Sequence, residues 1–510
     1  MGARSKRLLY LVHRWLGVIL CAFFAMWFIS GVVMMYVGYP KLTDAERLRH
    51  LPVLAADAPL LAPLLAPQQA LSGAGLAGPL KELRLAAASG GQPAYFATPQ
   101  GKGSATVAID AVSGARLPAT DEARALATAA AFAAPGTSLR YLGAVGEDAF
   151  THSRALDAHR PLHRVELGDA DETLLYISGR TGEVVRDATH SERLWNYAGA
   201  WIHWLYPFRG NVFDRYWTDI VNWLSIAGIA MALSGTLVGI MRWRFSRPYR
   251  SGARTPYQGF MRWHHIGGML FALTTITWIF SGLMSMNPWR IFDSGAAPLR
   301  MEALEGDASS LAAADVAPAT LLAAAGGGVR ELRWTRAQGR VVVQTYAGGG
   351  KPLLLDGHTA QALQLDPVAL RTAAAQLVPA RMARIELQTA YDLYYYSRDA
   401  HTMSGGSVKP LPVLRAEFAD AQASWVYIDP HTGAVVGRND SGKRTSRWLF
   451  AMLHSWDWLP LLERRPLWDM LLILLSLGGA VMSITGVVIG WRRLGTKLRS
   501  AGVPRTIRLP

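Results

Sequence analysis

Four of the thirteen histidines in this chain recur at one separation: His13 is matched by His264 and His203 by His454, each 251 residues on. The other nine fall opposite other residue types, as His152 does Met403 and His265 does Arg14. Imidazole suits iron, zinc and copper. If the repeat folds as two halves about a two-fold axis, each histidine meets its counterpart across that axis. Two such histidines could supply both axial ligands of one planar iron cofactor. Bis-imidazole ligation leaves no open position and so favours electron transfer over oxygen chemistry. The expectation is two haems b, one on His13 and His264 and one on His203 and His454. Any one of these histidines taken alone also reads as an interfacial aromatic with a polar tip. Zinc or copper is a further alternative, although two histidines underfill a structural zinc site.

Long apolar helices must position these residues. His13 opens YLVHRWLGVILCAFFAMWFISGVVMMY, which has no charge after Arg14, and MRWHHIGGMLFALTTITWIFSGLMSM repeats it. Gly17 is matched by Gly268, Trp27 by Trp278 and Ser30-Gly31 by Ser281-Gly282. Four windows, Trp15–Tyr36, Ile220–Met241, Ile266–Met286 and Met470–Trp491, carry no formal charge. At about 1.5 Å per residue each spans the roughly 30 Å hydrocarbon core. Trp27 and Trp278 lie about 21 Å along their helices from His13 and His264. There they could bridge two haems for electrons, or simply fill the core. Arg14, Arg242 and Arg493 could pair haem propionates, or serve only as topology charges. His265 is a reserve ligand, and recurrent glycines such as Gly235 and Gly486 allow close approach of helices or a flat macrocycle.

The chain has 510 residues, 51% of them hydrophobic, a net charge of +15 and one cysteine. Residues 1–14, 242–265 and 492–510 hold 16 Lys and Arg and no acid, leaving 36 cations against 37 anions elsewhere. The excess thus flanks membrane helices, which places both termini in the cytoplasm and the long segments outside. Contact with anionic lipid, and no nucleic acid, follows from that placement. The first apolar run is too long for a signal-peptide core and reads as an uncleaved anchor. Cys21 lies within it, so the outer segments have no disulfides. A transporter is disfavoured by the lack of any Asp, Glu, Lys or Arg within the four windows.

The 251-residue offset also matches Tyr176-Ile177 with Tyr427-Ile428, Thr181-Gly182 with Thr432-Gly433, Trp217 with Trp468 and Arg242 with Arg493. Residues 1–251 and 252–502 therefore read as two copies of helix, outer domain, helix. The class is α+β: four transmembrane helices in two tandem pseudo-symmetric halves, each with an outer α+β domain. Strands are expected at Thr106–Ile109 and Arg340–Tyr346, and helices at Asp121–Phe132 and Pro367–Leu377. A strand–turn–strand closes each domain, at LLYISGRTGEVV and WVYIDPHTGAVV. Aromatic segments at 193–208 and 447–462 then lead to the return helices, with His203 and His454 in their middle. The organisation is helix 1 at 1–37, an outer domain at 38–192, and an interfacial segment with helix 2 at 193–243. A cytoplasmic loop at 244–263, helix 3 at 264–287 and a second outer domain at 288–443 follow. An interfacial segment with helix 4 at 444–492 and a cytoplasmic tail at 493–510 complete the chain.

HRWLGV with its downstream SG, the TGEVV and TGAVV turns, AWIHWLYP, and YDLYYYSRDAH followed by PLPVLRAEF carry a resemblance. The chain resembles the PepSY-associated transmembrane proteins of bacterial inner membranes. That resemblance implies periplasmic PepSY-like domains. The family's ferric-siderophore reductases further imply a dihaem core that passes electrons outward to iron chelates, with ligands at His13, His264, His203 and His454. Tyr394, Tyr395, Tyr396, Arg398 and His401 form the densest aromatic and polar cluster. They could contact a ferric chelate, or pack as alternating strand residues. EDAFTHSR stands in the first half where the second has DLYYYSRD, a departure from the family pattern. With no Rossmann GxGxxG or evident flavin domain on the cytoplasmic side, electrons are expected from a partner reductase or from quinol. The alternative is a non-catalytic membrane protein regulating a peptidase or envelope partner.

Overall fold

The structure is a computed structural model that describes residues 2–54, 64–101, 103–306, 311, 316–399, 401–402 and 408–500. The chain divides into two compact units. One gathers the described residues of Met1–Gly38, Trp195–Ser294 and Gly442–Pro510 and is helical. The other gathers those of Tyr39–Leu194 and Gly295–Ser441 and is built on sheets.

Four long helices make up the first unit: α1 (Ala3–Tyr36), α2 (Trp217–Arg242), α3 (Gly259–Ser285) and α4 (Leu467–Ser500). All four are long and apolar enough to cross a membrane, and they contain the four uncharged windows, Met286 excepted. α1 begins well before Trp15 because no Gly or Pro between Arg4 and Arg14 stops it. α1 packs on α2 and α4, and α3 packs on the same two. Leu20, Cys21, Phe24, Phe28, Met231 and Ala480 form their common core, with Trp27 and Trp278 against it.

The second unit is antiparallel throughout. Its first strands are β1 (Leu80–Ser89), β2 (Gln92–Pro99), β3 (Val107–Asp110), β4 (Leu139–Val145), β5 (Leu162–Leu167), β6 (Leu174–Ser178) and β7 (Val184–Ala188). The remainder are β8 (Glu331–Ala337), β9 (Arg340–Tyr346), β10 (Leu353–Asp356), β11 (Met382–Gln388), β12 (Val413–Phe418), β13 (Trp425–Ile428) and β14 (Val435–Asn439). Among the described residues three sheets result, ordered β10-β9-β8-β1-β2-β3, β4-β5-β6-β7 and β11-β12-β13-β14. Helix Glu122–Phe132, capped by Asp121, lays Ala125, Ala129 and Phe132 on β5 and β6. Helix Pro367–Ala374, capped by Asp366, lays Leu370 and Ala374 on β12 and β13. Both closing turns need a left-handed residue, and glycine supplies it, at φ +75° in Gly182 and +72° in Gly433.

The stretches 38–192 and 288–443, treated as separate domains in sequence, share the six-stranded sheet. β1 pairs with β8, setting Leu83 opposite Trp334 and Arg84 opposite Arg333. Without that pairing each would present an open edge. Glu331 is fully buried at the seam, with Arg47 at 2.8 Å, Arg84 at 3.2 Å and Arg333 at 2.7 Å. Burial alone would raise its carboxyl, but the three guanidinium groups hold it down at about 2.

Candidate functional site

His13 on α1 faces His264 on α3, with ring centres 6.3 Å apart. His203 and His454, in the irregular segments before α2 and α4, face each other at 6.2 Å. A metal bonded to one nitrogen of each ring at roughly 2.0 Å, with about 1.1 Å from nitrogen to ring centre, sets trans rings about 6.2 Å apart. Either pair therefore has room for one metal atom between its rings. The rings that meet in space are the ones matched in sequence.

Each ring is gripped by its Nδ1. That of His13 bonds the Met231 carbonyl at 3.2 Å, and that of His264 the Met482 carbonyl at 3.0 Å, with Thr485 Oγ1 at 3.3 Å. The same 218 residues separate both partners. A carbonyl only accepts, so the proton sits on Nδ1 and Nε2 keeps its lone pair. The Ser30 hydroxyl donates to the Met26 carbonyl at 2.7 Å, leaving its oxygen to accept from His203 Nδ1 at 2.9 Å. Ser281 likewise donates to the Trp278 carbonyl and accepts from His454 Nδ1 at 3.0 Å. His454 has the Trp278 carbonyl as a second partner at 3.2 Å. Among the described residues no hydrogen bond involves any of the four Nε2 atoms. Orienting an imidazole through one nitrogen prepares the other to bind a metal.

The backbone around His203 and His454 is irregular in the same way. A π-helical turn precedes each, at Tyr197–Trp201 and Trp448–Met452. Two residues after each, Leu205 (φ +55°) and Trp456 (φ +49°) are left-handed. Such backbone persists where its surroundings hold it. Here the indole of Trp217 donates to the Trp204 carbonyl at 2.8 Å and that of Trp468 to the Ser455 carbonyl at 2.9 Å.

A cavity of about 380 Å³ surrounds the His13/His264 pair and includes Arg14, Arg242 and Arg493 in its wall. Arg242 also donates to the Tyr10 hydroxyl at 2.7 Å. Glycine is required at two points of this wall. A Cβ on Gly235 would lie 2.5 Å from His13 Cε1, and one on Gly486 would lie 3.2 Å from His264 Cε1 and 2.5 Å from Cys21 Sγ. His265 also lines the cavity, but its nitrogens are taken by Thr255 Oγ1 at 2.7 Å and the Gly239 carbonyl at 2.9 Å. It ties the 243–258 connection to the end of α2. Among the described residues no three His, Cys, Asp or Glu side chains gather as a metal-ion site.

Aromatic residues run from one pair toward the other. Phe24 lines the cavity, its ring is 6.0 Å from that of Trp27, and the Trp27 indole donates to the His203 carbonyl at 2.9 Å. The Trp278 ring lies 5.7 Å from that of Phe28, tilted by 47°, and its indole nitrogen is buried without a hydrogen bond. Reading the sequence missed Met231, Met482 and Thr485 as partners of the histidines. Their signal was available, since Met231 and Met482 match at the 251 offset.

In the sheet unit, residues 391–396 form a loop beyond the end of β11 rather than a strand. Tyr395 is buried, stacks on Tyr427 at 4.7 Å and donates to the Pro410 carbonyl. Tyr394 meets Trp425 edge-on at 5.3 Å, and Tyr396 and Arg398 are half-buried. His401 is held between Glu46 at 2.5 Å and Glu192 at 3.1 Å. The bond to Glu192, aided by the one to Glu46 and opposed by burial, lifts its imidazole to about 9.

The PepSY-associated TM region family model matches residues 10–349, well over half of the chain. No curated protein matches it. The chain belongs to the PepSY-associated TM family and is a membrane protein with four candidate spans.

Proposed function

We propose that this PepSY-associated membrane protein is a dihaem electron conduit that reduces a ferric siderophore or other ferric chelate for iron uptake. In this reading the bacterial inner membrane holds the four helices, both termini are cytoplasmic and the sheet unit is periplasmic. The two halves of the sequence supply one ligand each to every haem b. His13 and His264 would hold one on the cytoplasmic side, and His203 and His454 the other on the periplasmic side. The observation that carries the reading is the four imidazoles: each pair has single-metal spacing, and every ring is anchored by Nδ1 with Nε2 unengaged. A membrane anchor has no use for that arrangement. The glycines behind His13 and His264 and the cavity between them fit a flat macrocycle, whose four nitrogens complete a two-ligand site.

Haem held by these four histidines would supply reversible one-electron chemistry at iron. The chain's own residues do the rest. Met231, Met482, Ser30 and Ser281 orient the imidazoles. Arg14, Arg242 and Arg493 offer charge for the carboxylates of the inner group. Phe24 and Trp27, with Phe28 and Trp278 on the other side, supply polarisable rings between the pairs. An electron enters from quinol or a partner reductase and leaves to the chelate, whose Fe(III) becomes Fe(II). Chelate contact is assigned to Tyr394, Tyr396 and Arg398, with Tyr395 packed beneath them and His401 as a latch.

The test is a reduced-minus-oxidised spectrum of purified protein, followed by reoxidation of the dithionite-reduced form with ferric siderophores. Low-spin haem bands should appear, with His13→Ala and His203→Ala each removing about half of them. A spectrum without such bands would end the haem reading. Haem bands with no reoxidation by any of several chelates would leave an electron carrier for another acceptor.

A further inference from the structure

The two sides of the His203/His454 pair carry different ion pairs. On the His203 side, Arg209 pairs with Asp214 at 3.6 Å and lies 5.2 Å from the ring centre of Tyr206 and 4.9 Å from that of Trp217. After His454 comes Asp457, only 1% exposed. Its Oδ1 accepts from the Ser455 hydroxyl at 3.1 Å, and its Oδ2 lies 3.8 Å from an Arg447 nitrogen. Another Arg447 nitrogen donates to the Asp457 carbonyl at 3.1 Å, and the Asp457 N–H donates to the Ala451 carbonyl at 3.2 Å. This turn folds back over the segment that carries His454. At the 251 offset Asp457 corresponds to Tyr206 and Arg447 to Asn196, so the Asp457–Arg447 pair is not repeated at the matching positions.

A neutral asparagine would serve Ser455 as an acceptor equally well. A buried carboxylate costs desolvation, and pairing it with a cation is weak evidence of a stabilising purpose. A charge kept there despite that cost suits an electrostatic role. We propose that Asp457 is a charge-tuning residue that lowers the reduction potential of the metal centre held by His203 and His454. The proposal rests on the haem reading above. Reduction adds one electron and removes one positive charge from the iron, so a fixed anion nearby favours the oxidised state. Arg447 offsets this in part, its guanidinium being shared with the backbone carbonyl. A low potential at this pair sends the electron on to a chelate rather than retaining it.

The experiment is a potentiometric titration of the purified holoprotein followed by haem absorbance. In Asp457→Asn one of two Nernst components should shift to higher potential while the other stays in place. The shifting component should be the one missing in His203→Ala. Asp457→Glu should keep the original potential, and Arg447→Gln should move the same component downward. Unshifted components in Asp457→Asn overturn the proposal. Should that variant fail to fold, an unmoved or upward-moving component in Arg447→Gln overturns it. Failure of the haem reading is distinct, since wild-type protein would then give no haem titration at all.

Discussion

Gly235 of α2 stands so close to His13 of α1 that a Cβ there would lie 2.5 Å from the imidazole Cε1. The same ring is tied to the Met231 carbonyl one helical turn away. Helix α2 therefore both grips His13 and makes room for it. Gly235→Ala should push the ring off its position and remove about half of the bound haem, read as a pyridine haemochrome. Gly495→Ala, whose Cβ meets nothing within 4 Å, should keep the full complement. Equal retention in both variants would show that α2 does not set the ring.

The serine partners should be unequal. His203 Nδ1 has Ser30 as its partner, whereas His454 Nδ1 has both Ser281 and the Trp278 carbonyl. Removing a group that orients a metal-binding histidine costs roughly 10–100-fold in affinity. Ser30→Ala should lose haem of the second pair to excess apomyoglobin at least several-fold faster than Ser281→Ala. The reverse order would contradict the hydrogen-bond assignment.

The seam between β1 and β8 should depend on Glu331. Replacing it with Gln leaves Arg47, Arg84 and Arg333 without their shared anion, a loss of about 3 kcal/mol for a broken buried ion network. Held at about 2 against an ordinary 4.5, the carboxyl contributes stability that is present above pH 4.5. That contribution is lost as pH falls through about 2. Amide exchange over residues 83–86 and 331–334 should quicken in Glu331→Gln at pH 7, and acidification should quicken it less than in wild type. Unchanged exchange would mean that the strand pairing alone holds the seam.

The His401 latch should open in alkali. Its imidazole, lifted to about 9 against an ordinary 6.5, contributes stability that is full below pH 6.5 and is lost as pH rises through about 9. Lys41, Asp187 and Arg186 face the same acidic group as Glu46 and Glu192. With the His401 side chain 41% exposed, the effect is local rather than global. Exchange at Glu46 and Glu192, the third residues of their two capping boxes, should rise between pH 7 and 10 in wild type. It should already be high at pH 7 in His401→Gln. A pH-independent wild type would remove the latch.

The sequence by itself determined the four helices and the identity of the four histidines. Hydropathy over some twenty residues is a local property, and a repeat at one offset needs no structure to be seen. Turn glycines such as Gly182 and the helix that ends at Phe132 were legible for the same reason, because each rests on signals a few residues apart. Tertiary structure alone decided the rest. Which nitrogen of His13 is engaged depends on the carbonyl that α2 presents 218 residues away. That Tyr395 packs inward while Tyr394 meets Trp425 depends on a loop path that alternation along a strand misdescribes. That the two outer stretches share one sheet depends on two strand edges meeting, which neither β1 nor β8 encodes alone. Hydrogen-bond partners and strand edges are properties of pairs, and only folding chooses the pairs.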